Sequence, residues 1–165
     1  MKQNIKNLQE ESISIIRESL SHAQRPIVLF SIGKDSTVLL DLFKKAYYPS
    51  KIPVKFLHID TGWKFKEMIK FKFNLADKYN IELETYQNKK DFKKVNPFSD
   101  SNYTDLMKTK ALKDALDKGD YDFVFGGARR DEEGSRSKEK IISHRTNLHI
   151  WTPENQRLEP WNIFN

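Results

Sequence analysis

Apolar residues in this chain follow two spacings, helical stripes and short continuous runs, and these alternate along the sequence. The first stripe predicts an amphipathic helix over residues 4–22. Its apolar positions are Leu8, Ile15, Ile16 and Leu20. The run Ile27–Phe30 that follows is typical of a strand buried on both faces of a parallel sheet.

The same alternation continues toward the carboxyl end. It predicts helices near 38–49, 65–79 and 103–117, and strands over 54–59, 81–86 and 121–125. Residues 87–102 are polar and predict irregular structure. Alternating strands and helices favour an α/β fold with a doubly wound, mainly parallel sheet and right-handed crossovers. In such sheets ligands bind beyond the carboxyl ends of the strands.

No clear helical or strand periodicity continues after Ser143. We therefore predict one α/β domain over 1–143 and the start of a C-terminal extension over 144–165. Trp151 and Trp161 lie in this last stretch. Two tryptophans are poor candidates for a solvated tail, so we expect the stretch to pack on the domain or on a continuation of the chain. The chain is expected to be cut short.

Composition narrows the function classes. With 165 residues, 38% of them hydrophobic, the chain suits one globular domain, and the absence of cysteine excludes disulfides and thiol chemistry within it. The N-terminus lacks the continuous apolar core of a signal peptide, and no stretch reaches the length of a membrane span. We therefore expect a cytoplasmic protein without a membrane partner.

The net charge is +6, and 22 of the 29 basic residues are lysines, 13 of them between Lys44 and Lys94. A nucleic-acid surface is one interpretation. A solvated lysine face is the one we favour, because no aromatic and arginine stripe accompanies the lysines. We do not expect a nucleic-acid partner.

The strongest chemical signal is the run Ser31-Ile32-Gly33-Lys34-Asp35-Ser36 between a buried strand and a helix. A tight turn closed by a helix N-terminus directs backbone N–H groups at an anion. Gly33 would allow close backbone approach or a positive φ, and Lys34 would add a mobile charge. The alternative is a plain turn with Asp35 or Ser36 as the helix cap.

This run is not a Walker A loop, which requires glycine where Val28 stands and serine or threonine where Asp35 stands. It resembles instead the PP-loop, Ser-x-Gly-Lys-Asp-Ser, of the ATP pyrophosphatase families. That loop cradles the pyrophosphate part of ATP while a nucleophile attacks the α-phosphate.

A second signal is Asp60-Thr61-Gly62 at the end of the second predicted strand. Asp60 there could accept a hydrogen bond from a nucleoside or bind Mg²⁺. Asp60 or Thr61 could equally be a simple helix cap. His58, inside the strand, is expected to be a core histidine with a satisfied ring.

The third signal follows the last predicted strand, where Gly126 and Gly127 precede the polar run 128–133. Arg129 and Arg130 lie in it, and the planar guanidinium group suits phosphate and sulfate oxygens. Asp131 could orient these arginines or hold a metal. The alternative is a surface loop whose charges pair with one another. In the helix before it, Lys108 could reach a phosphate, but an exposed lysine is the commoner case.

Taken together, the order and spacing of these strings resemble the small subunits of bacterial heterodimeric sulfate adenylyltransferases, adenine nucleotide alpha hydrolase-like proteins of the PAPS reductase-like family. Met107-Lys108-Thr109, the run 135–139 and Asn155-Gln156-Arg157 add to the likeness, which covers nearly all 165 residues. Family chains continue well beyond this length.

The resemblance implies roles for the candidate residues. Residues Ser31, Ile32, Gly33, Lys34, Asp35 and Ser36 would bind the ATP phosphates. The turn Asp60–Gly62 would lie near the nucleoside, and Gly126 and Gly127 would line the site. Lys34, Arg129 and Arg130 would act in catalysis, and Asp35, Asp60 and Asp131 are the metal candidates.

The implied reaction converts ATP and sulfate to adenosine 5′-phosphosulfate and pyrophosphate, with Mg²⁺ and a GTPase large subunit as partner. Two alternatives stay open. One is a truncated, non-catalytic fragment that only binds ATP. The other is a different PP-loop ligase acting at the α-phosphate, such as a tRNA-modifying enzyme, which the basic charge would favour.

Overall fold

The computed structural model describes residues 2–127, 134, 139–152, 154 and 156. The chain divides into two compact units, residues 1–127 and 128–165. The predicted boundary near residue 143 stays a prediction. In the second unit, an antiparallel bridge joins Arg145 and Trp151, and the Trp151 indole nitrogen is buried without a hydrogen-bond partner among the described residues.

The first unit alternates helices and strands as the sequence predicts. Its helices are α1 (Lys2–His22), α2 (Lys34–Tyr47), α3 (Lys66–Tyr79), α4 (Lys89–Phe92), a π-helix (Asp105–Lys110) and α5 (Ala111–Gly119). Its strands are β1 (Pro26–Leu29), β2 (Lys55–Ile59), β3 (Leu83–Tyr86) and β4 (Phe123–Phe125).

The four strands form one parallel sheet in the order β3-β2-β1-β4. Along the chain, β2 and then β3 are added on one side of β1, and β4 pairs with the other side of β1. The strand order therefore reverses between β1 and β4, and a crevice beyond the carboxyl ends of these two strands is where ligands bind in open α/β sheets.

Both faces of the sheet are covered, which confirms the doubly wound prediction. Val28 and Phe56 face a large apolar core that includes Ile16 of α1, Leu40 of α2 and Leu75 of α3. Alternate residues face the opposite side, where Ile27 and Leu57 pack with Ala115 of α5. This alternation explains why the β1 sequence is apolar at every position.

Aromatic side chains fill the larger core. Phe43 of α2 contacts Phe125 and Phe56 edge to face, with ring centroids 5.1 and 5.9 Å apart. Phe56 in turn contacts Phe30, at 6.1 Å. These rings pack α2 against β4, against β2 and against the residue that follows β1, within the larger core.

Three local expectations differ from the structure. Leu8 is exposed, so the buried stripe of α1 begins beyond it. Residues 89–92 form a short helix inside the stretch predicted to be irregular. The helix predicted over 103–117 begins as a π-helix, and there the side-chain amide of Asn88 donates to the carbonyl of Leu106 at 3.1 Å. An inserted side chain of this kind disturbs the regular helical ladder.

Candidate anion-binding site at the carboxyl edge of the sheet

The loop 31–36 leads from β1 into α2 at the point where the strand order reverses. Gly33 is the N-cap of α2 and has no side-chain cap hydrogen bond, so the alternative in which Asp35 or Ser36 caps the helix is wrong. The first N–H groups of a helix have no partner within the helix and carry its positive dipole end. The loop therefore has the geometry of an anion site.

The two serine hydroxyls shape this loop from within. Ser36 is buried and donates to the Gly33 carbonyl at 3.1 Å. Its single proton is thereby used, so Ser31 donates in the 3.2 Å contact between the two hydroxyl oxygens. The Ser31 oxygen also accepts from the Gly33 N–H at 3.3 Å. In this arrangement both hydroxyls stabilise the turn, and anion donors come from the backbone and Lys34.

The positive φ of the loop belongs to Ile32 (φ 70°), whereas Gly33 has φ −77°. A β-branched residue in the left-handed region is a strained outlier, and such strain concentrates at functional sites. A Cβ on Gly33 would lie 3.3 Å from the Ser31 hydroxyl oxygen, a tight contact that a shift of a few tenths of an ångström in the serine side chain relieves. Of the two predicted roles of Gly33, the positive φ is wrong, and close backbone approach to a bound anion stays a prediction.

Gly127 brings the end of β4 against the same loop. A Cβ built on Gly127 would lie 3.0 Å from both the carbonyl carbon and the carbonyl oxygen of Asp35. A Cβ on Gly126 would meet nothing within 4 Å. The structure thus brings the first and third sequence signals together at the reversal point, and only the second glycine is required for the approach.

The charged side chains of the loop lie at its surface. Lys34 Nζ is 3.3 Å from a carboxylate oxygen of Asp35, and the Lys34 side chain is 68% exposed. An exposed pair of this kind adds little to folding stability. The Lys34 ammonium group is exposed at the N-terminus of α2, where a ligand could reach it.

The turn Asp60–Gly62 lies at the end of β2, next to β1. An Asp60 carboxylate oxygen accepts from the Gly62 N–H at 2.8 Å, and Gly62 has φ +85°. A Cβ on Gly62 would lie 2.0 Å from the ring of Phe92, so glycine is required both by conformation and by space. The helix cap of α3 is Phe65, which excludes Asp60 and Thr61 from that role.

Tyr103, which lies 42 residues after Thr61 in the sequence, holds this turn in place. Its hydroxyl donates to the carbonyl oxygen of Thr61. Burial raises the pKa of the Tyr103 phenol, so the hydroxyl stays protonated and able to donate. Sequence reasoning missed Phe92 and Tyr103, because nothing local in the polar stretch 87–102, or at the start of the helix predicted after it, indicates contact with the turn at residues 60–62.

His58 is a core residue, as expected. It is 1% exposed, and its Nδ1 lies 2.7 Å from the Phe30 carbonyl oxygen. Since a carbonyl only accepts, Nδ1 carries the proton. Burial lowers the pKa of His58, and the neutral ring links β2 to the residue that precedes the anion loop.

Lys72 of α3 is a second buried group that sequence reasoning missed. It is 6% exposed, and its Nζ lies 3.5 Å from the Thr85 hydroxyl of β3. Burial lowers the pKa of Lys72. Lysines are frequent in α3, so the sequence did not indicate that Lys72 is the one that faces the sheet.

Arg129, Arg130 and Asp131 fall outside the described residues. Lys108 is exposed on the π-helix, beside the fully buried Met107.

Across the described residues, no three His, Cys, Asp or Glu side chains cluster as a metal site would require. No described helix is long and apolar enough to cross a membrane.

The reversal point, the uncapped helix N-terminus and the close glycine approach define a class of protein, an α/β domain with an anion site suited to a phosphorylated ligand. Comparison with known proteins gives the family. The profile of the phosphoadenosine phosphosulfate reductase domain matches residues 25–153. The chain belongs to this family.

Two curated relatives are close in sequence. Sulfate adenylyltransferase subunit 2 of Acinetobacter baumannii (strain AYE) is 53% identical over 165 residues, covering 98% of this chain and 54% of the relative. Its counterpart from Rhizobium meliloti (strain 1021) is 52% identical, with 98% and 52% covered. The predicted resemblance is confirmed, and this chain spans about half the length of the curated relatives it matches.

Two solved structures share the fold. Phosphoadenylyl-sulfate reductase from Candida auris superposes with a TM-score of 0.59 at 19% identity, over 78% of this chain and 68% of the reductase. The U34-tRNA thiolase of Methanococcus maripaludis gives 0.56 at 17% identity, over 74% and 45%. These likenesses confirm the adenine nucleotide alpha hydrolase-like architecture.

Proposed function

We propose that this chain is the nucleotide-binding part of a sulfate adenylyltransferase small subunit, which makes adenosine 5′-phosphosulfate and pyrophosphate from ATP and sulfate. The observation that carries the proposal is the 53% identity over 98% of the chain with a relative of that name. The anion-loop geometry supports it, since the reaction requires a site for the pyrophosphate end of ATP.

In this proposal the backbone N–H groups of loop 31–36 and the ammonium of Lys34 hold the β- and γ-phosphates. A sulfate oxygen attacks the α-phosphorus, and the bond from that phosphorus to the bridging oxygen of the β-phosphate breaks. Sulfate is already ionised, so no general base is needed. Catalysis then consists of positioning and of stabilising the charge on the departing pyrophosphate.

The other candidates take positions around this centre. The turn Asp60–Gly62, at the end of the neighbouring strand, would lie near the nucleoside. Gly126 and Gly127 leave room beside the phosphates. Arg129 and Arg130 are proposed to meet the α-phosphate or sulfate oxygens, for which the guanidinium fork is suited.

A magnesium ion in a nucleotide site is commonly held by one or two carboxylates together with the substrate phosphates. The Asp35 carboxylate fits this requirement, because it is partly exposed at the first turn of α2 beside Lys34. Asp60 fits less well, since one of its oxygens accepts from Gly62. When bound, the ion would neutralise charge on the phosphate oxygens.

The proposal also places the protein in the cytoplasm, in the first step of sulfate assimilation. The words "subunit 2" in the names of the relatives support a partner subunit, and we propose a GTPase large subunit. Coupling to GTP hydrolysis would help to form the energetically costly phosphosulfate anhydride.

Pyrophosphate release from Mg-ATP tests this function. The arms are ATP alone, ATP with sulfate, and both with the GTPase subunit and GTP, each repeated with Lys34→Ala. We expect release that requires sulfate, rises with the partner and is lost in Lys34→Ala. ATP binding without sulfate-dependent release would instead identify a non-catalytic fragment, and tRNA binding with a steep salt dependence would favour a tRNA-modifying ligase.

A further inference from the structure

Two large aromatic side chains stand exposed beside the turn at the end of β2. Trp63 is 58% exposed and Phe98 is 85% exposed. Their rings meet edge to face, with centroids 5.5 Å apart and planes at 79°. We call this pair the aromatic ledge. An edge-to-face contact leaves at least one face of the indole open, and an exposed aromatic face is a surface on which a nucleic-acid base can stack.

The segment that carries Phe98 is held in place by hydrogen bonds. The Asn96 side-chain oxygen accepts from the Phe98 N–H at 2.9 Å, and the Asn96 N–H donates to Asp100 at 2.7 Å. Tyr103 then joins the end of this segment to the carbonyl of Thr61. The backbone that carries Phe98 is therefore held by its own hydrogen bonds, and Tyr103 links the residues that follow it to the turn that precedes Trp63.

The ledge lies at the ligand edge of the sheet. Trp63 directly follows Gly62, in the connection that leaves the carboxyl end of β2. The anion loop leaves the carboxyl end of β1, which pairs with β2 in parallel. Neighbouring strands are about 4.8 Å apart, so the loop and the turn begin within reach of a single nucleotide.

Resting on the proposed nucleotide function, we infer that the aromatic ledge stacks the adenine ring of ATP, with Trp63 as the stacking surface and Phe98 as its support. The anion loop recognises only phosphate groups, so it cannot distinguish ATP from other polyphosphates. A rigid indole supplies a large apolar contact for a base, and base–aromatic stacking is worth about 1–3 kcal/mol. The ledge thus adds base recognition to the site.

The test compares ATP with inorganic tripolyphosphate, which has the phosphates but no base. Calorimetric titrations are run on the 165-residue chain as wild type, Trp63→Ala and Trp63→Phe. We expect Trp63→Ala to weaken ATP binding by roughly fivefold or more while tripolyphosphate affinity is unchanged. Trp63→Phe, which retains a ring, should recover part of the loss. Phe71→Ala is the matched control, an aromatic 46% exposed on α3 that forms no part of the ledge.

Two results would overturn the inference while leaving the nucleotide site intact. One is an ATP affinity unchanged by Trp63→Ala, and the other is an equal loss for both ligands. Either would mean that the ledge contacts another protein surface or only supports the turn. Failure of the wild-type chain to bind ATP at all would overturn the proposed function together with this inference.

Discussion

Gly127 lies so close to Asp35 that a Cβ on the glycine would stand 3.0 Å from the carbonyl carbon and oxygen of the aspartate. Backbone atoms cannot rotate away as a flexible side chain can. The end of β4 and the first turn of α2 are therefore in contact at a point where any side chain other than hydrogen forces a shift. This contact lies where the strand order reverses, beside the loop at which we propose that the phosphates of ATP bind.

We predict that Gly127→Ala weakens ATP binding and lowers the free energy of unfolding by about 1–3 kcal/mol, the usual cost of overpacking. Gly126→Ala is the control for stability, because its Cβ would meet nothing within 4 Å and its φ is not positive. That variant should be neutral or slightly stabilising. Urea unfolding and ATP titration of both variants measure this, and identical behaviour of the two would contradict the assigned contact.

Much of the fold could be predicted because its strands are buried and its helices are amphipathic. The run Ile27–Phe30 is apolar at every position since both faces of β1 are covered, and this gave the parallel sheet directly. The loop 31–36 was singled out because glycine, lysine and two serines between a strand and a helix suit an anion site at a helix N-terminus. Both signals are local in sequence.

The features that sequence missed depend on contacts between distant segments. Nothing near Ile32 indicates its positive φ, which an isoleucine adopts only when its surroundings require it. The π-helix accompanies a bond from Asn88 to Leu106, and the Asp60 turn is closed by Tyr103. The exposed Leu8 shows the reverse case, an apolar position on the predicted stripe that finds no core.

Tyr103 provides a test of how the Asp60 turn is held. Tyr103→Phe keeps the ring and removes only the hydroxyl that donates to Thr61. We expect a loss of about 1 kcal/mol in the free energy of unfolding, and weaker ATP binding, because the turn and the aromatic ledge lose their common anchor. Tripolyphosphate affinity should be unchanged. An effect on tripolyphosphate equal to that on ATP would contradict this account.

His58 predicts a pH dependence of stability. Burial lowers the pKa of the folded ring from its ordinary value of 6.5, so the unfolded chain takes up a proton first as the pH falls below that value. The free energy of unfolding should therefore fall as the pH drops below about 6.5, by at most about 1.4 kcal/mol per pH unit. His58→Gln should remove this part of the slope in urea unfolding at several pH values. Equal slopes in both proteins would show that His58 does not titrate as described.

The central claim is that loop 31–36 holds the phosphates of ATP, and Lys34→Ala tests it most directly. Calorimetric titration with Mg-ATP should show affinity lower by about 10- to 100-fold, the value of a charge-assisted hydrogen bond. The thermal midpoint should be unchanged, since the ion pair with Asp35 is exposed. Lys44→Ala, farther along the same helix, should bind as the wild type does. An ATP affinity unaffected by Lys34→Ala would contradict the account.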